Sequence, residues 1–113
     1  MADDGELETA FEVAMLELYD AWWEQIRYRA SRFRQLVSNR GGVGAAEVLL
    51  AKTGTSEGFD RLAKAGKLAL TVEFLVLRPE FGRLFSPTER GIARRRLVES
   101  GMARSDLPLE PYA

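Results

Sequence analysis

The side chains that can carry acid–base chemistry in this sequence are carboxylates, lysines and tyrosines, because it contains no histidine and no cysteine. Ser-His and Cys-His catalysis and zinc sites are therefore excluded. Glu73 is the most informative carboxylate, because its neighbours Val72 and Phe74 are apolar. We expect it to be buried, where it would either cap a helix or pair with an arginine. Most of the other acids crowd onto one stretch near the amino terminus, so the sequence predicts no catalytic residue, no metal ligand and no cofactor.

Two glycine-containing stretches, residues 41–46 and 53–58, have a composition found in phosphate-binding loops. A dinucleotide-binding loop follows a β-strand, whereas the first stretch follows a long helical pattern, and the P-loop consensus is absent. We interpret residues 41–46 as the end of one helix and the start of the next. Residues 53–58 are interpreted as a turn followed by a helix cap at Ser56.

The arginines offer the other candidate chemistry, because arginine binds the phosphates of nucleic acids. The candidate residues are Arg27, Arg34, Arg94, Arg95 and Arg96. Three consecutive helical residues fan over about 200°, so residues 94–96 cannot all face one surface. Residues 45–67 have the outline of a helix-turn-helix motif, but its second helix opens with acidic residues that would repel phosphate. Nucleic-acid binding is therefore the alternative hypothesis for function.

Charge is unevenly distributed along this chain, although its net charge is only −1. Residues 1–25 contain eight acidic residues and no basic one, whereas residues 26–40 contain five arginines and no acidic residue. This order suits the dipole of a single helix. It also suits antiparallel pairing of two copies about a two-fold axis, because each acidic half would lie along the other copy's arginines.

The element that carries this charge pattern is a helix predicted over residues 5–39, where apolar residues recur every three or four positions. At about 1.5 Å per residue it would reach roughly 50 Å, whereas a compact chain of this size is roughly 35 Å across. We therefore expect the helix to break, to project or to pair. The candidate anchors for pairing are Phe11, Met15, Trp22 and Trp23.

Shorter helices are predicted over residues 44–52 and 57–65, followed by a helical turn over 79–85. Residues 70–77 alternate as a strand does, but nothing else in the sequence offers a partner strand. We interpret them as a buried helix.

The clearest local signal is the sequence Ser86, Pro87, Thr88 and Glu89, which has the pattern of a capping box and predicts a helix to about residue 100. The predicted fold is therefore all-α, with a long amino-terminal helix and four or five shorter ones. We expect one domain over residues 1–101 and a mobile, disordered tail over 102–113.

Five short blocks between residues 33 and 97 form a further pattern. They are Gly-Gly with Leu-Leu at 41–50, Gly-Phe-x-Arg-Leu at 58–62, Leu-Thr-Val-Glu at 70–73, Pro-Glu-Phe at 79–81 and Ala-Arg-x-Arg-Leu at 93–97. Through these blocks the chain resembles an uncharacterised family of small bacterial proteins. The resemblance covers more than half of the chain and implies a mostly helical fold, but it supplies no activity and no binding residue.

No stretch of the sequence approaches the roughly 20 apolar residues that span a membrane, and the acidic amino terminus is unlike a secretory signal. We expect a cytoplasmic protein that does not bind membranes. The leading hypothesis is a non-enzymatic protein-interaction or adaptor module that forms a homodimer, or binds another helical protein, through its first helix. The alternative is a small nucleic-acid-binding accessory protein that uses its arginine clusters.

Overall fold

The structure is a computed structural model that describes residues 3–108. Within that range the helices are α1 (Asp4–Ile26), α2 (Ser31–Ala51), α3 (Glu57–Lys64), α4 (Val72–Val76) and α5 (Pro87–Glu99). Three short 3₁₀ segments lie between or after them: Leu68–Leu70, Pro79–Leu84 and Arg104–Asp106. No strand occurs among the described residues, and the predicted all-α class is confirmed.

The helix predicted over residues 5–39 breaks, which is the first of the three outcomes expected for it, because the chain leaves the helical conformation at residues 27–30. Arg27 adopts a left-handed conformation with φ 52°, and its N–H donates a hydrogen bond to the Trp23 carbonyl oxygen. The chain then reverses and α2 packs antiparallel to α1, with the rings of Trp22 and Phe33 4.7 Å apart. The break therefore lets both helices fit into a molecule whose longest dimension is 36 Å.

α2 bends at Gly41, whose backbone (φ 74°, ψ 171°) lies outside the helical region. This bend confirms the predicted end and restart of a helix at residues 41–46. Next to it, the Gly42 N–H donates to Glu12 Oε1 at 3.0 Å. A Cβ atom at position 42 would lie 2.6 Å from the Cα atom of Glu12, so only glycine permits this approach between α1 and α2.

Side-chain caps begin the three helices that follow. Ser56, Thr71 and Ser86 each accept a hydrogen bond from the backbone N–H three residues later. The Glu89 carboxylate also accepts from the Ser86 N–H at 2.8 Å, which completes the predicted capping box. Residues 72–76 are helical, so the helical interpretation of residues 70–77 is confirmed for the central part of the segment.

The core collects apolar side chains from all five helices, and its largest fully buried members include Phe11, Met15, Leu50, Leu62 and Leu97. The predicted tail over 102–113 is described only to residue 108, and residues 109–113 lie outside the described part. Met102 and Leu107 pack against the core, which ties the start of that segment to the helices. None of the described helices combines the length and the apolar character needed to cross a membrane.

Candidate interaction surface and cavity at the α1–α2 junction

Three of the four predicted anchors lie inside the protein. Phe11 and Met15 are fully buried, and Trp22 is 3% exposed. The indole N–H of Trp22 donates to the carbonyl oxygen of Leu70 at 2.8 Å, which fixes the end of α1 against the chain before α4. The assignment of these three residues as interface anchors is therefore corrected: in this fold they hold α1 in place and present no surface to a partner.

Trp23, the fourth predicted anchor, lies on the surface at the end of α1 with 38% of its area exposed. The guanidinium groups of Arg29 and Arg27 lie 4.3 Å and 5.4 Å from the centre of its ring. Guanidinium groups stack favourably on indole through cation–π attraction. The arginines therefore hold the ring in position while part of it stays accessible.

An acidic face of α1 leads up to Trp23. The exposed residues Val13, Glu17, Asp20 and Glu24 are spaced by four, three and four positions, so they lie along one side of the helix. Within residues 3–108, Val13 and Trp23 are the large hydrophobic residues that are exposed, and both belong to this helix. The outward side of α1 is thus acidic along its length and aromatic at its end.

The charges beside Trp23 have no ionic partner within residues 3–108. Asp20 and Glu24 form no ion pair there, and neither do Arg27 and Arg29. We call these four residues together with Trp23 the Trp23 surface. It carries two acids and two arginines around one exposed aromatic ring.

The five arginines predicted for nucleic-acid binding do not form one patch. Arg96 is 7% exposed and hydrogen-bonded inside the protein, so its assignment to such a surface is corrected. Arg94 and Arg95 lie on α5, and Arg95 is exposed. Arg27 lies at the end of α1, and Arg34 lies on α2 with its guanidinium 5.6 Å from the ring centre of Tyr19. Two of these five arginines, Arg27 and Arg34, stack on aromatic rings of α1.

A cavity of about 300 Å³ lies behind this junction. It is lined by the end of α1, both segments of α2 and the starts of α3 and α4, it is open to solvent on one side, and we call it the junction cavity. Its apolar lining includes Trp22, Phe33, Leu36, Leu49, Leu62 and Val72. Its charged lining residues are Arg32, Lys52, Glu57 and Glu73.

Glu73 is buried as expected, and of the two expected roles, a helix cap or an arginine pair, the structure shows the pair. It is 3% exposed, and its Oε2 accepts a hydrogen bond from Arg96 Nη1 at 3.0 Å. Burial raises the pKa of the Glu73 carboxyl, and the hydrogen bond and charge of Arg96 oppose that rise. The carboxylate is thus held by one cation, and its pairing is structural.

Sequence reasoning named Trp23 and Arg27 as separate candidates but missed the contact between them, and it missed the junction cavity. The four-residue spacing of Trp23 and Arg27 is a signal for a cation–π pair on a helix. The contact of Arg29 had no such signal, because it depends on the break at residues 27–30. The cavity joins segments far apart in sequence, which no local pattern reveals.

Comparisons of the chain with protein-family models, with curated proteins and with solved structures give no match. The resemblance to a family of small helical bacterial proteins therefore stays a prediction.

Proposed function

We propose that this protein is a non-enzymatic protein-interaction module that forms a homodimer through the Trp23 surface. The observation that carries the proposal is that Asp20, Glu24, Arg27 and Arg29 all lie near the exposed ring of Trp23, with the two arginines stacked on it and none of the four charges paired within residues 3–108. A surface that carries both signs of charge beside an exposed aromatic ring can pair with a second copy of itself.

A two-fold axis through Trp23 uses this complementarity. It brings the two indole rings together, and we expect the acids of each copy to meet the arginines of the other. The geometry differs from pairing along an unbroken helix, because the chain turns away after residue 26 and the contact is confined to the end of α1. The contact is small, so we expect a reversible dimer whose affinity falls as salt screens the charges.

Two charge-reversed variants test this arrangement. The acid-reversed variant carries Asp20→Arg and Glu24→Arg, and the arginine-reversed variant carries Arg27→Glu and Arg29→Glu. Each variant alone places like charges opposite one another, so sedimentation should show monomers. The equimolar mixture should restore a dimer, because each charged side again meets its opposite.

Truncation of the ring tests the centre of the same contact. Trp23→Ala should weaken the dimer by about 2 kcal/mol or more, since aromatic anchors dominate desolvated interface centres. Val13→Ala is the matched control, because Val13 is exposed on the same helix but lies outside the Trp23 surface. A monomeric wild type at high protein concentration and low salt, or a dimer that survives in both charge-reversed variants, would refute the proposal.

A second candidate function, nucleic-acid binding, is favoured by the stacking of Arg27 and Arg29 on the exposed ring of Trp23. Exposed aromatic rings with neighbouring arginines bind single-stranded bases and phosphates. The test is retention on immobilised single-stranded DNA as salt is raised. Binding that falls steeply with salt and is lost in Arg27→Gln/Arg34→Gln, but kept in Arg95→Gln, would favour this function over self-association.

A further inference from the structure

The junction cavity has the size and lining of a small-ligand site that the proposed dimer does not use. Its volume of about 300 Å³ lies at the lower end of the range for ligand cavities. Trp22 and Phe33 form an aromatic wall, with their ring centres 4.7 Å apart. Leu36, Leu49 and Leu62 also line the space, so a ligand inside it meets mainly apolar side chains.

The charges around the cavity are not equivalent. Glu57 is paired with Arg61 at 3.0 Å, and Glu73 is paired with Arg96 at the same distance. Arg32 and Lys52 also line the cavity and are exposed, and neither forms an ion pair within residues 3–108. The charges left to meet a ligand are therefore both positive, and they lie at the solvent-exposed part of the lining.

We propose that the junction cavity binds a small amphipathic carboxylate. The apolar part of the ligand lies against Trp22, Phe33 and the leucines, and its carboxylate lies at Arg32 and Lys52. An amine at the same place would face two unpaired cations, and a neutral head group would leave them without a counter-ion. A cavity of about 300 Å³ lies at the lower end of the range for ligand sites, so we expect a small ligand, such as one of about ten non-hydrogen atoms.

Four small ligands of similar size test separately the effect of the head-group charge and the effect of the shape of the apolar part. Octanoate and phenylacetate are carboxylates with a chain and a ring respectively, whereas octylammonium and 1-octanol carry a positive and a neutral head group. Both carboxylates should bind, and the better one should bind at least about tenfold more tightly than octylammonium or 1-octanol. The tighter of the two carboxylates then assigns the apolar part as a chain or a ring.

NMR locates the binding within the full chain. The indole N–H signal of Trp22 should shift on titration, because Trp22 lines the cavity, whereas that of Trp23 should stay in place. The backbone amide signals of Thr71 and Val72, which also line the cavity, should move with that of Trp22. A shift of the Trp23 signal alone would mean that the carboxylate binds surface arginines, which overturns the proposal.

Variants test the head group and the apolar space separately. Arg32→Gln/Lys52→Gln should weaken the better carboxylate about tenfold and leave 1-octanol unchanged, whereas Lys64→Gln, an exposed lysine that does not line this cavity, should change neither. Val48→Phe should block every probe by filling the space, with Val98→Phe on α5 as its control. Circular dichroism first establishes that each variant folds. Equal binding of octylammonium and octanoate, or no saturable binding of either carboxylate to the wild type, would overturn the proposal.

Discussion

Arg96 Nη1 lies 3.0 Å from Glu73 Oε2, inside the protein and away from solvent. The same guanidinium donates hydrogen bonds to the carbonyl oxygens of Leu49, Leu50 and Lys52, which end α2. One side chain of α5 thus neutralises a carboxylate of α4 and satisfies the carbonyl groups at the end of a third helix. The positions of three helices depend on this guanidinium.

Removal of that guanidinium should be strongly destabilising. Arg96→Met leaves Glu73 buried without a counter-ion, so the free energy of unfolding should fall by about 3–5 kcal/mol. Arg95→Met, next to it on α5 but exposed, should change stability by less than about 0.5 kcal/mol. Urea denaturation of both variants makes the comparison. Equal stabilities would mean that the buried pair contributes nothing.

Stability should depend on pH through Glu73. Burial raises the pKa of this carboxyl above its ordinary value of 4.5, so the folded protein holds the proton more tightly than the unfolded chain does. The contribution of Glu73 to stability is therefore fully present below pH 4.5 and is lost as the pH rises through the folded-state pKa. The stability of the wild type relative to Glu73→Gln should fall over that interval. Denaturation curves of both proteins at a series of pH values measure this difference in stability. If the wild type instead gained stability relative to Glu73→Gln as the pH rose, the raised pKa of Glu73 would be contradicted.

Two glycine-to-alanine substitutions should have opposite effects. A Cβ atom at position 42 would lie 2.6 Å from Glu12 Cα, so Gly42→Ala must push α1 and α2 apart and should cost about 1–3 kcal/mol. Gly91 lies inside α5, where an added Cβ would meet no heavy atom within 4 Å other than those of the adjacent residues and the backbone of its own helix, within residues 3–108. Gly91→Ala should therefore stabilise the protein by up to about 1 kcal/mol, because alanine favours helix. Thermal unfolding of the wild type and the two variants measures both the expected loss and the expected gain of stability.

The two adjacent tryptophans should respond differently to replacement by phenylalanine. Trp22→Phe removes the hydrogen bond to the Leu70 carbonyl oxygen and should lower the free energy of unfolding by about 1–3 kcal/mol. Trp23→Phe keeps an aromatic ring for Arg27 and Arg29 and should change it by less than about 0.5 kcal/mol. Chemical denaturation followed by circular dichroism compares them. A larger loss at position 23 would show that the roles of the two rings are reversed.

Short sequence patterns correctly predicted those features of the fold that depend on residues only a few positions apart. The caps at Ser56 and Ser86 and the bend at Gly41 come from residues within three or four positions of one another, and all three appear in the structure. The burial of Glu73 was predicted from its apolar neighbours for the same reason. Its partner Arg96 was not, because 23 residues separate the two and many arginines were available.

The end of α1 shows why the position of the helix break could not be predicted from the sequence. No glycine or proline marks the break, and the residue with the positive φ angle is an arginine. The break accompanies the burial of Trp22, whose hydrogen-bond acceptor Leu70 lies 48 residues further along the chain. A contact of that range is invisible to helical periodicity, which continued unchanged through residues 27–30.

The hydrogen bonds of Arg96 also set an order of events during synthesis. The carbonyl oxygens at the end of α2 leave the ribosome 44 to 47 residues before the guanidinium that binds them. Glu73 likewise emerges 23 residues ahead of its counter-ion. Until α5 has been made, these groups lack their partner, so we expect them to stay hydrated and the preceding helices to stay open around them. This part of the fold should therefore close only after residue 96 has been translated.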